Sequence, residues 1–130
     1  MRLTIALFLL TTCYAQESKP YRSCIATAKV QFELNACAND EAVRVDAELN
    51  HLYRKLLSKA SSQLEATSKI KACENAWIVY RDSYLDAMFP AADKPAQYGS
   101  IYPMELALLR AKLTRQQITA LNDLRRQYGE

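Results

Sequence analysis

The sequence predicts an all-α fold, a small antiparallel bundle of three to four helices. The 130 residues include only two glycines and four prolines, and no stretch alternates apolar and polar residues long enough to build a sheet. Apolar side chains instead recur at three- and four-residue intervals in three separate stretches, the spacing that lines one face of a helix.

The first stripe runs from about Asp40 to Lys59 through Ala42, Val45, Leu49, Leu52, Tyr53 and Leu56. Asp40 suits an N-cap there, and Asp40 and Glu41 place negative charge at the start. The serine-rich Ser58 to Ser62 marks a turn before a second stripe of Leu64, Ile70, Cys73, Trp77, Tyr80, Tyr84 and Met88. This helix must end near Phe89, because Pro90 follows and Pro95 and Gly99 lie in the connection that ends at Ser100. An eleven-residue connection is long for a small bundle and is a candidate for function as well as for disorder. The third element begins at Ser100 or Ile101, tolerates Pro103 in its first turn, and carries Leu106, Leu109, Leu113, Leu121 and Leu124. Thr114-Arg115-Gln116-Gln117 has the pattern of a capping box and predicts a division there into a short and a terminal helix, with Gly129 as the final stop.

Ahead of the helices, Met1 to Ala15 reads as a secretory leader: Arg2, the apolar Leu3 to Leu10, then Cys13-Tyr14-Ala15 before a first mature residue Gln16. Residues 16–130 then form a single domain, exported to the periplasm or beyond. Leu10-Thr11-Thr12-Cys13 approximates a lipobox, but threonine before the cysteine is larger than the residue such sites need, so soluble export is the reading taken over a lipid anchor at Cys13. No later stretch approaches the ~20 apolar residues of a membrane helix. Loss of Arg2 lowers the net charge from +3 to about +2, with both signs interspersed. Nucleic acid is therefore not an expected partner. The densest basic pair, Arg125-Arg126, suits a helix C-terminus, where cations complement the dipole.

The mature chain holds Cys24, Cys37 and Cys73, an odd number. In one continuous helix Cys24 and Cys37 would stand ~20 Å apart, so if they pair, the segment between them turns back. Catalytic and metal readings lack material: His51 is the single histidine, with no cysteine or second histidine at ligand spacing, and reads as a solvated helix residue. Asp82 and Asp86 read as ordinary helix acids. No nucleophile elbow, phosphate loop or catalytic triad can be assembled from one histidine and two glycines, so the chain is expected to be no enzyme and to need no cofactor.

Three scattered segments carry the most information: Gln31-Phe32-Glu33-Leu34-Asn35-Ala36-Cys37-Ala38, Asp46-Ala47-Glu48-Leu49-Asn50-His51-Leu52-Tyr53 and Trp77-Ile78-Val79-Tyr80-Arg81-Asp82. Together they resemble the LprI-like lysozyme-inhibitor domain, a family of small exported bacterial proteins. The signature residues are Glu33, Asn35, Asp46, Leu49, Asn50, Tyr53, Trp77, Arg81, Asp82 and Thr114. The resemblance implies a Cys24–Cys37 disulfide pinning the N-terminal segment to the bundle. It also shows a departure, since relatives carry two further cysteines where Leu85 and Leu109 stand here. An apolar contact between these leucines would replace that second bridge. Cys73 is then the leftover thiol, expected to be buried and inert on its apolar stripe. An arginine usual in relatives is Gln117 here, which puts any salt bridge at that position in doubt.

Read physically, the signature is structural first. Trp77 is expected to pack in the core, and Arg81, four residues on, to project from the same face and find an acceptor on Asp46, Glu48 or Asn50, or on carbonyls at a helix end, without needing Asp82. Asparagine is a poor helix-interior residue, so Asn35 and Asn50 point to specific side-chain bonds. The resemblance implies contact with lysozyme or another cell-wall-directed protein. Lys94, Tyr98, Ser100 and Tyr102 in the long connection are the candidate contact residues, offering basic and hydroxyl groups to a carboxylate-lined cleft. A purely structural or envelope-stress domain is the alternative, slightly favoured by a positive charge that does not attract basic lysozymes.

Overall fold

A computed structural model describes residues 17–128; the leader, Cys13, Gln16 and Gly129 lie outside them. Five helices and one 3-10 turn follow in order: α1 (Lys19–Thr27), α2 (Gln31–Lys59), α3 (Leu64–Met88), α4 (Lys94–Tyr98), the turn Gly99–Ile101, and α5 (Tyr102–Gln127). The all-α expectation holds, and no strand occurs among the described residues.

α2 and α5 run parallel. The N-terminal part of α2 meets the start of α5, where Asn35 donates to the Ser100 carbonyl at 3.0 Å, and Leu49, Leu52 and Leu56 near its end share a core with Leu121. α3 runs antiparallel to both, from Ile70 in that same core to Phe89 beside Tyr102. The bundle is thus up, down and up. α1 turns back on α2, with Tyr21 buried against Cys37 and Ala38 and with Met104, Ala107 and Leu108 of α5 packed over them.

The long helix begins nine residues before the expected Asp40. Its first turn is secured by Glu33, whose Oε2 accepts the Lys29 amide at 2.5 Å, a variant of the reciprocal cap that joins a third-position glutamate to the preceding backbone. The turn-back lies at residues 28–30, and Cys24 and Cys37 bridge α1 to α2 with a Cα separation of 5.7 Å, inside the usual disulfide range. The predicted pinning is therefore present.

Glu41 lies within a helix, not at its start, and is only 1% exposed. Its carboxylate accepts from the Ser18 amide at 3.1 Å, from the Ser18 hydroxyl, and from Arg44 and Arg115. Ser18 in turn caps α1 by accepting from the Tyr21 amide at 3.2 Å. One acid therefore ties α1, α2 and α5 together. Burial alone raises its pKa, but the serine bonds and the two guanidiniums outweigh that and hold the carboxyl below its ordinary value.

Thr114 does not break the last helix. Its hydroxyl donates back to the Arg110 carbonyl at 2.9 Å, within the turn before it, and α5 continues unbroken past a buried Thr114. Because the helix runs through, the amides after Thr114 already bond to carbonyls one turn back and none is left to cap, which is why the capping-box pattern fails here.

Candidate functional site

The side of the molecule where α2 and α5 begin is built by the connection that leaves α3. Pro90 stops α3, and the Lys94 ammonium is held by the carbonyls of Phe89 at 2.6 Å and Ala91 at 3.4 Å. Asp93 caps the short α4, accepting from the Ala96 amide at 3.1 Å. Tyr98 accepts the Ala91 amide at 3.1 Å, and its ring contacts Phe89 and Tyr102 at centroid distances of 5.3 and 5.7 Å. Gly99 then adopts φ 71°, a left-handed value that glycine takes without a Cβ penalty, and the chain enters α5. The connection is thus a folded corner.

Asn35 fixes this corner to α2. Its side-chain oxygen accepts from Gln31 at 2.8 Å while its amide nitrogen donates to Ser100, so both ends of a group costly in a helix interior are used. Along the same side a groove of about 350 Å³ separates the two helices, with Val43 and Asp46 on α2 facing Tyr102, Leu106 and Arg110 on α5. Tyr102 and Pro103 also line a second hollow, of about 380 Å³, which reaches Asn35, Ser100 and Phe32. Phe32 stands 80% exposed at its far edge, and a third hollow on its other side extends to the Cys24–Cys37 bridge. The result is an apolar trough with an arginine and an aspartate at one end and an unpartnered aromatic at the other. Such a surface suits an inserted side chain or loop of a protein partner.

Two of the four connection residues singled out from the sequence, Ser100 and Tyr102, line this trough. The other two, Lys94 and Tyr98, spend their polar atoms on the connection itself. Asn35 and Asp46 of the signature also line it. Phe32, Val43 and Arg110 were not singled out, though Phe32 lies within the first signature segment and off the Leu34 and Ala38 side that turns inward.

The rest of the signature lies elsewhere. Leu49 and Tyr53 belong to the core of α2, and Trp77, half-buried, packs against that core. Asn50 donates to the carbonyl and carboxylate of Asp46, one turn earlier on the exposed side. Arg81 is buried as expected, yet its acceptor is Asp82, at 2.8 Å from Nε, and not a residue of α2. α3 packs more on α5 than on α2, and the guanidinium finds its acceptor on its own helix. The guanidinium also sits 5.2 Å from the Trp77 ring centroid. The Arg81 bond is the chief cause that lowers the Asp82 pKa, with Arg110 adding to it. Gln117 donates to the buried Glu74 at 2.8 Å, so a neutral amide partners this acid.

Cys73 corrects a second expectation, since it is exposed. Its stripe was read as inward, but only Ile70 and Trp77 of that stripe face the core, while Tyr80, Tyr84 and Met88 face outward with it. His51 is exposed, as expected. Among the described residues no group of three or more histidine, cysteine, aspartate or glutamate side chains is arranged to hold a metal ion, and no helix is long and apolar enough to cross a membrane.

The chain is 30% identical over 135 residues to the uncharacterized protein R02472 of Rhizobium meliloti (strain 1021), covering 92% of this chain and 91% of that one. No solved structure matches. Residues 24–121, from the first disulfide cysteine to the last core leucine of α5, match the family described as Lysozyme inhibitor LprI, and with three quarters of its length so matched the chain belongs to the LprI lysozyme-inhibitor family.

Proposed function

We propose that this protein is exported and acts by protein–protein contact, docking on a lysozyme or another cell-wall-directed protein through the trough between α2 and α5. The observation that carries the reading is the convergence at one surface of Asn35 and Asp46 from the signature, Ser100 and Tyr102 from the connection, and the exposed Phe32. Family membership supplies the class of target. Aromatic and arginine side chains are the commonest interface anchors, and Phe32 and Arg110 bracket the trough. The folded connection holds Ser100 and Tyr102 without a large ordering cost on binding.

Capture of a panel of lysozymes by the purified oxidised protein, followed by a cell-lysis inhibition assay, tests the reading. Wild type should bind and inhibit at least one. Phe32→Ala and Arg110→Glu should lose inhibition at unchanged thermal stability. A wild type that binds no lysozyme and no cell-wall-directed protein would overturn it and leave the domain a structural one.

A further inference from the structure

α3 meets the other helices along a narrow seam. Ile70, Glu74, Trp77, Arg81 and Leu85, spaced three and four apart, are the positions turned inward over this stretch. Beside this seam, about 100° round the helix, Cys73, Ala76, Tyr80, Tyr84 and Ala87 are exposed, and at 3.6 residues per turn they fall within an arc of about 80°. Val79 and Met88, 67% and 50% exposed, flank them. The charged residues of this stretch, Glu74, Arg81, Asp82 and Asp86, all lie outside the arc. Helix surfaces facing water carry charge; between Cys73 and Ala87 this one does not.

We propose that this face binds a second copy of the chain, with the two α3 helices antiparallel about a two-fold axis at Tyr80. The stripe is complementary to its own reverse. Antiparallel pairing about Tyr80 sets Ala76 against Tyr84 of the second copy and Cys73 against its Ala87, so each Tyr84 ring meets a small side chain while the two Tyr80 rings meet at the axis. Parallel pairing in register sets Tyr84 on Tyr84 and leaves Ala76 facing Ala76 across a gap. An isologous contact requires such self-complementarity, whereas an unrelated partner does not.

Charge agrees with this occupant. Lys69, the next residue along the stripe, comes beside the C-terminal end of the second copy's α3, where the helix dipole is negative and the last acid is Asp86. Side chains of this size, about half exposed, offer roughly 400 Å² per copy at ~150–250 Å² for a whole aromatic. The two copies together bury roughly 800 Å², below the ~1,200 Å² of a standard stable interface, so the dimer should be weak and concentration-dependent. The trough's walls belong to α2, α5 and the connection before α5, and a lysozyme-like partner there uses a different surface.

Sedimentation of the oxidised protein from micromolar to millimolar concentration is the test. The expected result is a monomer–dimer equilibrium, weakened at least about tenfold by Tyr80→Glu, which buries an unpaired charge at the axis, with helicity and the Cys24–Cys37 bond unchanged. Alkylation of Cys73 should slow as the dimer fraction rises. In a Cys73→Ser background, Tyr80→Cys should form an intermolecular disulfide, because the axis passes through that position. A monomer at millimolar concentration, or a dimer indifferent to Tyr80→Glu, overturns the interface. A wild-type disulfide through Cys73 overturns the register, which holds the two thiols about 21 Å apart.

Discussion

α2 and α5 share a dry seam in which Leu56 and Leu121 are fully buried, and the Glu41 cluster ties them to each other and to α1. α3 is the less amphipathic of the three long helices by its sequence, and it buries a narrow strip that includes Glu74 and Arg81 and turns Val79, Tyr80, Tyr84 and Met88 to solvent. The difference lies in the composition of the inward faces. The α2–α5 seam is mainly aliphatic with a polar knot at Glu41, whereas the inward strip of α3 includes polar groups that need named partners: Gln117 for Glu74, and Asp82 for Arg81. Polar burial specifies how α3 sits, while aliphatic burial supplies most of the stability.

The contrast can be broken most easily at the seam. Leu56→Ala should cost about 3–5 kcal/mol in denaturant unfolding, because the site lies between three elements and collapses poorly. A loss below about 1 kcal/mol would show that the α2–α5 core is not the stabilising one. Next in size is the disulfide: Cys24→Ser with Cys37→Ser should lose about 3 kcal/mol, the value for closing a loop this short, read from the same transition.

Glu41 sharpens the comparison through pH. Its folded pKa lies below the ordinary value of 4.5, so the stability it contributes is present above that value and is lost as pH falls through the lower, folded one. Wild type should therefore become less stable in that acid window, and Glu41→Gln should show a smaller change there, in parallel thermal melts at graded pH.

The smallest effects should come from the outer face of α3. Val79→Ser should change monomer stability by no more than about 0.5 kcal/mol, measured in dilute solution. A large loss would mean that this face is covered within the monomer. At the inner face, Leu85 and Leu109 are both half-buried on helices that meet, and Leu85→Cys with Leu109→Cys should oxidise to an intramolecular bridge; failure to oxidise would separate them.

Much of this was legible without coordinates. The α3 boundaries followed from the Ser58 to Ser62 turn and Pro90, both strong local signals. The start of α2 was misplaced because its cap is Glu33 reaching back to a backbone amide, which looks in the sequence like any surface glutamate. In the trough, Asn35 was readable as a residue with a specific task, since its type is costly in a helix, but its partner is a carbonyl 65 positions away. Phe32 and Arg110 had no such mark.

By itself, the sequence determined the helical class, the pairing implied by its family pattern, and which residues share a helix face, because periodicity and turn chemistry are local. Only the tertiary structure decided that α2 and α5 lie parallel and together, that Glu41 is the buried knot of three helices, and that the stripe of Cys73 and Tyr80 faces outward. A helix can have two apolar faces, and which one is buried depends on where its neighbours pack, a choice made by contacts between residues far apart in the chain.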